Sequence, residues 1–193
     1  MMMRWHLSRR CDPKARELAD RHYNRQSIGA DNFVPPGRCL VLVAKVPRIE
    51  GSGEDAHKRE EIGALWVTSW PFAEFTHHAW AGAWVNSLFR NERPDVFLSS
   101  ELILEAVAAT RWFFKDPPSL GMVTFVDPTK TLAKPYRKQQ PGGCYRKAGF
   151  KVVGETKVNK LVALQLLPEE MPAAEPAHGM TYATLLERME IHV

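Results

Sequence analysis

The chain is poor in cysteine. Cys11, Cys39 and Cys144 are the only three among 193 residues. An odd number at such wide spacing makes neither a disulfide framework nor a zinc pattern, and it fits a reducing cytoplasm. No apolar run approaches the roughly 20 residues a membrane helix needs, so no membrane partner is expected. The first residues, MMMRWHLSRR, lack an apolar signal core, so secretion is not expected and the cytoplasm is the expected compartment. Internal repeats are missing. So is any acidic residue between Asp127 and Glu155. What is present is ordinary for a globular domain: 45% hydrophobic and 25% charged residues, enough for one core. The formal net charge of +4 suggests an anionic partner.

Taken in order, Trp5 to Arg9 reads as a strand. Asp12-Pro13 opens a helix to about Tyr23, with Asp12 as N-cap and Ala15, Leu18, Ala19 and His22 on one face. Cys39 to Ala44 is an apolar strand ended by Pro47. Arg48 to Glu61 is expected to be a hairpin loop, and Ile62 to Val67 the returning strand. His77-His78 follow in a connector; adjacent histidines diverge on any regular element, so no metal pair is expected there. Trp80 to Phe89 reads as a strand with Trp80, Gly82, Trp84, Asn86 and Leu88 on one face. Glu101 to Phe114 reads as a helix with a stripe of Leu102, Ile103, Ala106, Val107, Thr110 and Phe114.

The remaining elements are organised by Met122 to Lys157. A short β-rich run, Met122 to Val126, ends in Asp127. A basic loop leads to Gly142-Gly143, then to a short helix, Cys144 to Ala148. Gly149 suits a left-handed helix end, and Phe150 starts another strand at Lys151. Lys160 to Leu167 is the last strand. Residues 169–193 read as a linker with a short helix over Thr181 to Glu190, leaving residues 1–168 as the domain.

Tyr145-x-Lys147-x-Gly149-Phe150, with the order β-α-β-β-β-α-β-α-β, resembles the GNAT acyltransferase superfamily over Trp5 to Leu167. Taken alone, the same residues make an ordinary helix-to-strand turn. The resemblance implies an α/β (α+β) fold with a mixed, mainly antiparallel central sheet, helices around it, and a splayed central strand pair that forms an acyl-CoA cleft. The family's usual phosphate loop is glycine-rich, whereas Arg90 to Ser100 contains no glycine. A cofactor grip by Arg90, Arg93 and the hydroxyls of Ser99 and Ser100 is the expected substitute. His22-Tyr23-Asn24, Arg93 with Leu98-Ser99-Ser100, Val126-Asp127-Pro128 and Gly143-x-Tyr145 together resemble the Mom family, phage proteins that modify the exocyclic N6 amine of adenine in DNA and block restriction. By that resemblance Asp127, Tyr145, Ser100 and Arg93 are the expected catalytic residues. Arg90, Ser99, Ser100 and Tyr145 are expected to bind acetyl-CoA or another acyl-CoA. His22, Tyr23, Asp127 and Tyr145 match the family's proposed iron-binding cluster. For a phage-encoded protein the compartment would be the host cytoplasm.

The chemistry sets matching demands. Transfer from a thioester needs donors for the carbonyl oxygen, a destination for the amine proton, and a donor to the departing sulfur. The helix start near Ser99-Ser100 offers free N–H groups to a pyrophosphate. Lys130, Lys134, Arg137 and Lys138, interleaved with Tyr136, suit a double- or single-stranded DNA backbone and an unstacked base; they equally suit a solvated loop or coenzyme A phosphates. Trp66, Trp70, Trp80 and Trp84 lie on strands expected to line the acceptor side. Two other readings stay open: a GNAT N-acetyltransferase of a small-molecule or protein amine, and a GNAT-like binding module without catalysis.

Overall fold

The computed structural model describes residues 2–25, 27–50, 57–71, 76, 78–131 and 140–184. The chain is mixed α+β, with the element order β1 (Trp5–Leu7), α1 (Pro13–Asp20), β2 (Arg38–Glu50), β3 (His57–Trp70), β4 (Trp84–Asn91), α2 (Ser99–Phe114), β5 (Met122–Val126), α3 (Pro128–Thr131), α4 (Gly143–Lys147), β6 (Lys151–Glu155) and β7 (Val162–Leu166). One seven-stranded sheet runs β1-β2-β3-β4-β5-β7-β6. Every pairing is antiparallel except β4 with β5.

Alternation in the strands builds two large apolar clusters and a small third one of Ala83, Val123 and Ala163. Leu40, Leu42, Ala44 and Val46 of β2 face one side with Trp66, Trp84, Leu102, Ile103 and Ala106. Val41 and Val43 face the other with Leu65, Val67 and the α1 residues Ala15, Leu18 and Ala19. A strand with both faces buried reads as a continuous apolar run, as Leu40 to Ala44 does. Each buried aliphatic side chain contributes roughly 1.5–3 kcal/mol before entropy is counted. Helix α2 is buried nearly all round: Ala106, Val107, Ala108 and Ala109 are each 0% exposed. It ends at Lys115, whose φ of 68° breaks the helix, just before Pro117-Pro118. Among the described residues no helix is long and apolar enough to cross a membrane.

Several boundaries differ from the sequence reading. Strands β2 and β3 pair far beyond Ala44, through Pro47 opposite Glu60 to Glu50 opposite His57, so Pro47 lies inside a strand. Its pairing with β1 stops at Ala44. Beyond that point β2 has, among the described residues, a neighbour on one side only, the setting in which a strand accepts proline. Trp80 to Ala83 form a turn, and β4 begins at Trp84. Helix α1 stops at Asp20, short of His22. Gly149 adopts a φ of 94° at the end of α4, where its N–H bonds the Arg146 carbonyl and that of Phe150 bonds Tyr145, a left-handed end that glycine makes without strain.

The segment after Leu167 is not a free linker over its described length. Met171, Ala177 and Met180 are buried in the α2-side core. The backbone of His178 accepts from Leu7 and donates to Trp5, a parallel bridge on the outer edge of β1. Three apolar side chains among Pro, Ala and Glu and these backbone bonds dock it. Thr181 to Thr184 continue into the expected terminal helix, most of which lies outside the described residues.

Candidate functional site

Two local irregularities open a cavity. Strands β4 and β5 pair at Trp84–Met122, Val85–Val123 and Asn86–Thr124, and no further. On the other edge of β4, Val67 faces Leu88 while Thr68 faces Asn86, so Ser87 is an extra residue. Such a bulge bends its strand and raises the local twist. Beyond Asn86 the two parallel strands part, and among the described residues the backbone of β4 from Ser87 to Phe89 has no ladder partner on the β5 side. The gap between them is a cavity of about 520 Å³ whose walls include Ser87 to Phe89, Thr124 to Val126, the start of α2 and one face of α4.

The floor of the V is polar and buried. Asn86, 3% exposed, donates both amide hydrogens, to the carbonyls of Val67 and Leu88 at 3.0 Å each. Its Oδ1 accepts the Tyr145 hydroxyl and lies 3.4 Å from the Thr124 hydroxyl. The reverse amide orientation would set Oδ1 against two carbonyl oxygens, so this one is dictated. The Tyr145 ring packs edge-on to Phe89 and Phe150. Burial holds its phenol protonated, well above the ordinary tyrosine range.

The walls divide by chemistry. His22 and Tyr23 stack with centroids 4.5 Å apart. Burial, helped by Arg90, lowers the His22 pKa to about 4. Its Nδ1 accepts from the Asn24 N–H at 3.2 Å, so the neutral ring carries its proton on Nε2. Burial likewise raises the Tyr23 phenol. Opposite them is the start of α2. Its N-cap, Leu98, supplies no side-chain cap. The N–H groups of Glu101 and Leu102 close on the Leu98 carbonyl at 3.1 Å, which leaves those of Ser99 and Ser100 at the helix end. Asn91 donates to Ser99 Oγ at 3.0 Å and so orients that hydroxyl. On α4, burial raises the Cys144 thiol, and Arg146 and Lys147 bring positive charge. Among the described residues lining the cavity there is no carboxylate.

The residues expected at the site are thus separated. Tyr145, Ser99, Ser100, His22 and Tyr23 line one cavity; Asp127, Arg90 and Arg93 do not. Asp127 caps α3: Oδ1 accepts the Thr129 N–H at 2.8 Å and its hydroxyl at 2.6 Å, and Oδ2 lies 3.8 Å from Lys130 Nζ. The Thr129 bonds, ahead of Lys130, hold its pKa below the usual carboxylate range. It touches the site through its backbone N–H, 3.5 Å from the Tyr23 hydroxyl. Arg90 is held by Glu92 at 2.6 Å and by the Arg21 carbonyl at 2.7 Å. Arg93 crosses Gly63 to reach Asp95 at 2.8 Å and Glu61 at 3.3 Å. A Cβ at Gly63 would sit 2.9 Å from Arg93 Cγ, so glycine lets that arm pass. Arg90 thus gives donors to a carboxylate and a backbone carbonyl, and Arg93 gives its donors to two carboxylates. Lys130, over the Tyr23 ring at 6.0 Å, lies beside the cavity. Lys134, Arg137 and Lys138 lie outside the described residues.

The implied iron cluster does not fit this arrangement. The Nδ1 of His22 accepts from Asn24, so Nε2 bears a proton where a metal would need a lone pair. The Tyr145 hydroxyl is engaged with Asn86, and the Asp127 carboxylate with Thr129 and Lys130 of α3. Among the described residues no group of three or more His, Cys, Asp or Glu side chains is arranged to hold a metal.

Sequence reasoning had not singled out Asn86, Thr124 or Cys144. Asn86 carried a signal, since an amide two residues along the strand from core-facing Trp84 must find buried partners. None of the four tryptophans expected on the acceptor side lines the cavity; Trp66 and Trp84 are wholly buried. No protein-family model, no curated protein and no solved structure matches this chain.

Proposed function

We propose that the chain is a GNAT-like acyltransferase that uses an acyl-CoA donor and acts, as in the Mom family, on the exocyclic N6 amine of adenine in DNA. The observation that carries this reading is the buried Tyr145–Asn86–Thr124 cluster at the point where the parallel strands part. An acyl-CoA would supply an activated acyl carbon; transfer forms the C–N bond, breaks the C–S bond, leaves the electron pair on sulfur and delivers to it the proton lost by nitrogen. The unpaired backbone edge of β4 from Ser87 to Phe89 stabilises charge on the carbonyl oxygen. Tyr145 donates to the departing sulfur. The free N–H groups of Ser99 and Ser100, with Arg146 and Lys147, favour the donor's phosphates. Asp127 acts on the framework, as the cap of α3 behind Tyr23, and no step runs through a metal.

The acceptor assignment rests on charge. A lysine or polyamine acceptor enters as a cation, and a buried cation needs a carboxylate partner. The described lining offers none, and its titratable aromatic groups, His22 and Tyr23, are neutral. A neutral, planar amine suits such walls, and the stacked His22–Tyr23 pair suits the face of a base taken out of its stack. Mass spectrometry of nucleosides from DNA of cells expressing the protein should show a modified deoxyadenosine. Unmodified deoxyadenosine alone, with folded protein present, overturns the DNA assignment.

One observation favours a second reading. Much of the basic charge near α1 is already neutralised: Arg16 by Asp31, Arg21 by Glu92, Arg25 by Asp20. That leaves less for a phosphate backbone and favours a small neutral amine as acceptor. DNA binding must weaken steeply with salt; acetyl transfer to small amines that is indifferent to salt would select the second reading.

A further inference from the structure

We infer that Asn86 is a positioning residue that ties the bulge of β4 to the phenol of Tyr145, so that the backbone donors of one wall and the hydroxyl of the floor act in a fixed relation. The kinetic consequence rests on the acyltransfer reading; the coupling itself does not.

The geometry is that of one side chain with all its capacity used. Its two N–H bonds end on Val67 and Leu88, the residues that face each other across the ladder beside the extra residue, Ser87. They pin the distortion that turns the β4 backbone toward the cavity. Its oxygen accepts the hydrogen bond of the Tyr145 hydroxyl. The phenol at rest therefore donates to an amide and not into the cavity. Rotation about the C–O bond can redirect that proton to a ligand, at the loss of the bond to Asn86. Against a neutral thioester the exchange gains nothing. Against a thiolate it replaces a neutral bond by a charge-assisted one, about twice as strong. Asn86 thereby confines donation by Tyr145 to the stage at which charge has reached sulfur, which is the condition for an interaction to raise turnover rather than ground-state affinity. The Thr124 hydroxyl, 3.2 Å from the Asn86 carbonyl and 3.4 Å from its Oδ1, can turn to Oδ1 when the phenol leaves. Asn86 Oδ1 then keeps a donor.

Two measurements on the full chain test this. In proton NMR the Tyr145 hydroxyl of the wild type should give a slowly exchanging resonance, identified by its loss in Tyr145→Phe. Asn86→Leu should abolish it, and Asn86→Asp, which keeps an acceptor, should shift it without abolishing it. A resonance unmoved by either Asn86 change overturns the inference, and Asn86→Asp alone decides the matter where Asn86→Leu does not fold. In acetyl transfer, Tyr145→Phe and Asn86→Asp should each lower kcat by about tenfold or more with KM for acetyl-CoA changed less than about threefold, and the double substitution should be no worse than the weaker single. Independent, multiplying losses overturn it. If the wild type binds no acetyl-CoA by calorimetry, the functional reading fails, while the resonance still decides the coupling.

Discussion

Two helices in this chain open with Asp-Pro, and the two acids do the same local work in different surroundings. Asp12 accepts from the N–H groups of Lys14 and Ala15 and from the Ser8 hydroxyl, starting the eight residues of α1, at the end of that helix remote in sequence from His22 and Tyr23. Asp127 accepts from Thr129 and starts four residues of α3 at the cavity's edge. Capping satisfies a helix's orphan N–H groups, and proline at the next position loses nothing by lacking one. An acid at a strand end beside a pocket invites a chemical role, yet the two hydrogen bonds that make a cap also turn its oxygens away from a ligand. Position in the fold suggested chemistry; the dipeptide indicated capping.

The comparison breaks most sharply on activity. Tyr145→Phe should lower acyl transfer by roughly 100-fold, whereas Asp127→Asn, which preserves a cap because asparagine caps as well as aspartate, should leave it within about threefold. Loss of transfer in a folded Asp127→Asn protein would make the carboxylate a base and part it from Asp12. On stability the order reverses. Asp12→Ala should cost about 1 kcal/mol in urea unfolding, and Asp127→Ala less, because the helix it starts is one turn long. Equal costs would mean that α3 supports more than itself.

Smaller effects come from pH. The native pKa of His22, about 4, lies below its usual value of 6.5. The unfolded chain therefore binds a proton first, and stability falls as pH drops from about 6.5 to about 4. His22→Gln should remove that limb from a denaturation series while the change leaves Asp127 in place. Glu92, lowered from 4.5 to about 2 chiefly by the Arg21 hydrogen bond and then by Arg90, contributes stability present above its unfolded pKa and lost as pH falls from about 4.5 toward 2; Glu92→Gln should flatten that lower window.

Much of the scaffold was legible because its signals are local. The α2 stripe, the burial of Trp84 and Asn86, and the glycine at the end of α4 all follow from periods and torsions within a few residues; Leu88, expected on the same face as Trp84, lies in the α1-side core because the extra residue Ser87 reverses the alternation. The bulge was not, because it exists only in the register of β4 against β3, and Val67 and Leu88 are 21 positions apart. Arg90 and Arg93 misled for the opposite reason: Glu92 and Asp95 stand two residues away, and a carboxylate so near competes with any ligand for the guanidinium. Tyr145 was found from a local pattern; Asn86, which accepts its hydrogen bond, required the fold.

The docked tail has a consequence for anyone shortening the chain. With residues after Leu167 removed, the Leu7 N–H and Trp5 carbonyl would face water along a bare strand margin, beside apolar surface that Met171, Ala177 and Met180 now cover. Such a margin recruits other molecules through its open peptide groups. A protein trimmed to its apparent domain should precipitate or form chains where the longer one stays dissolved.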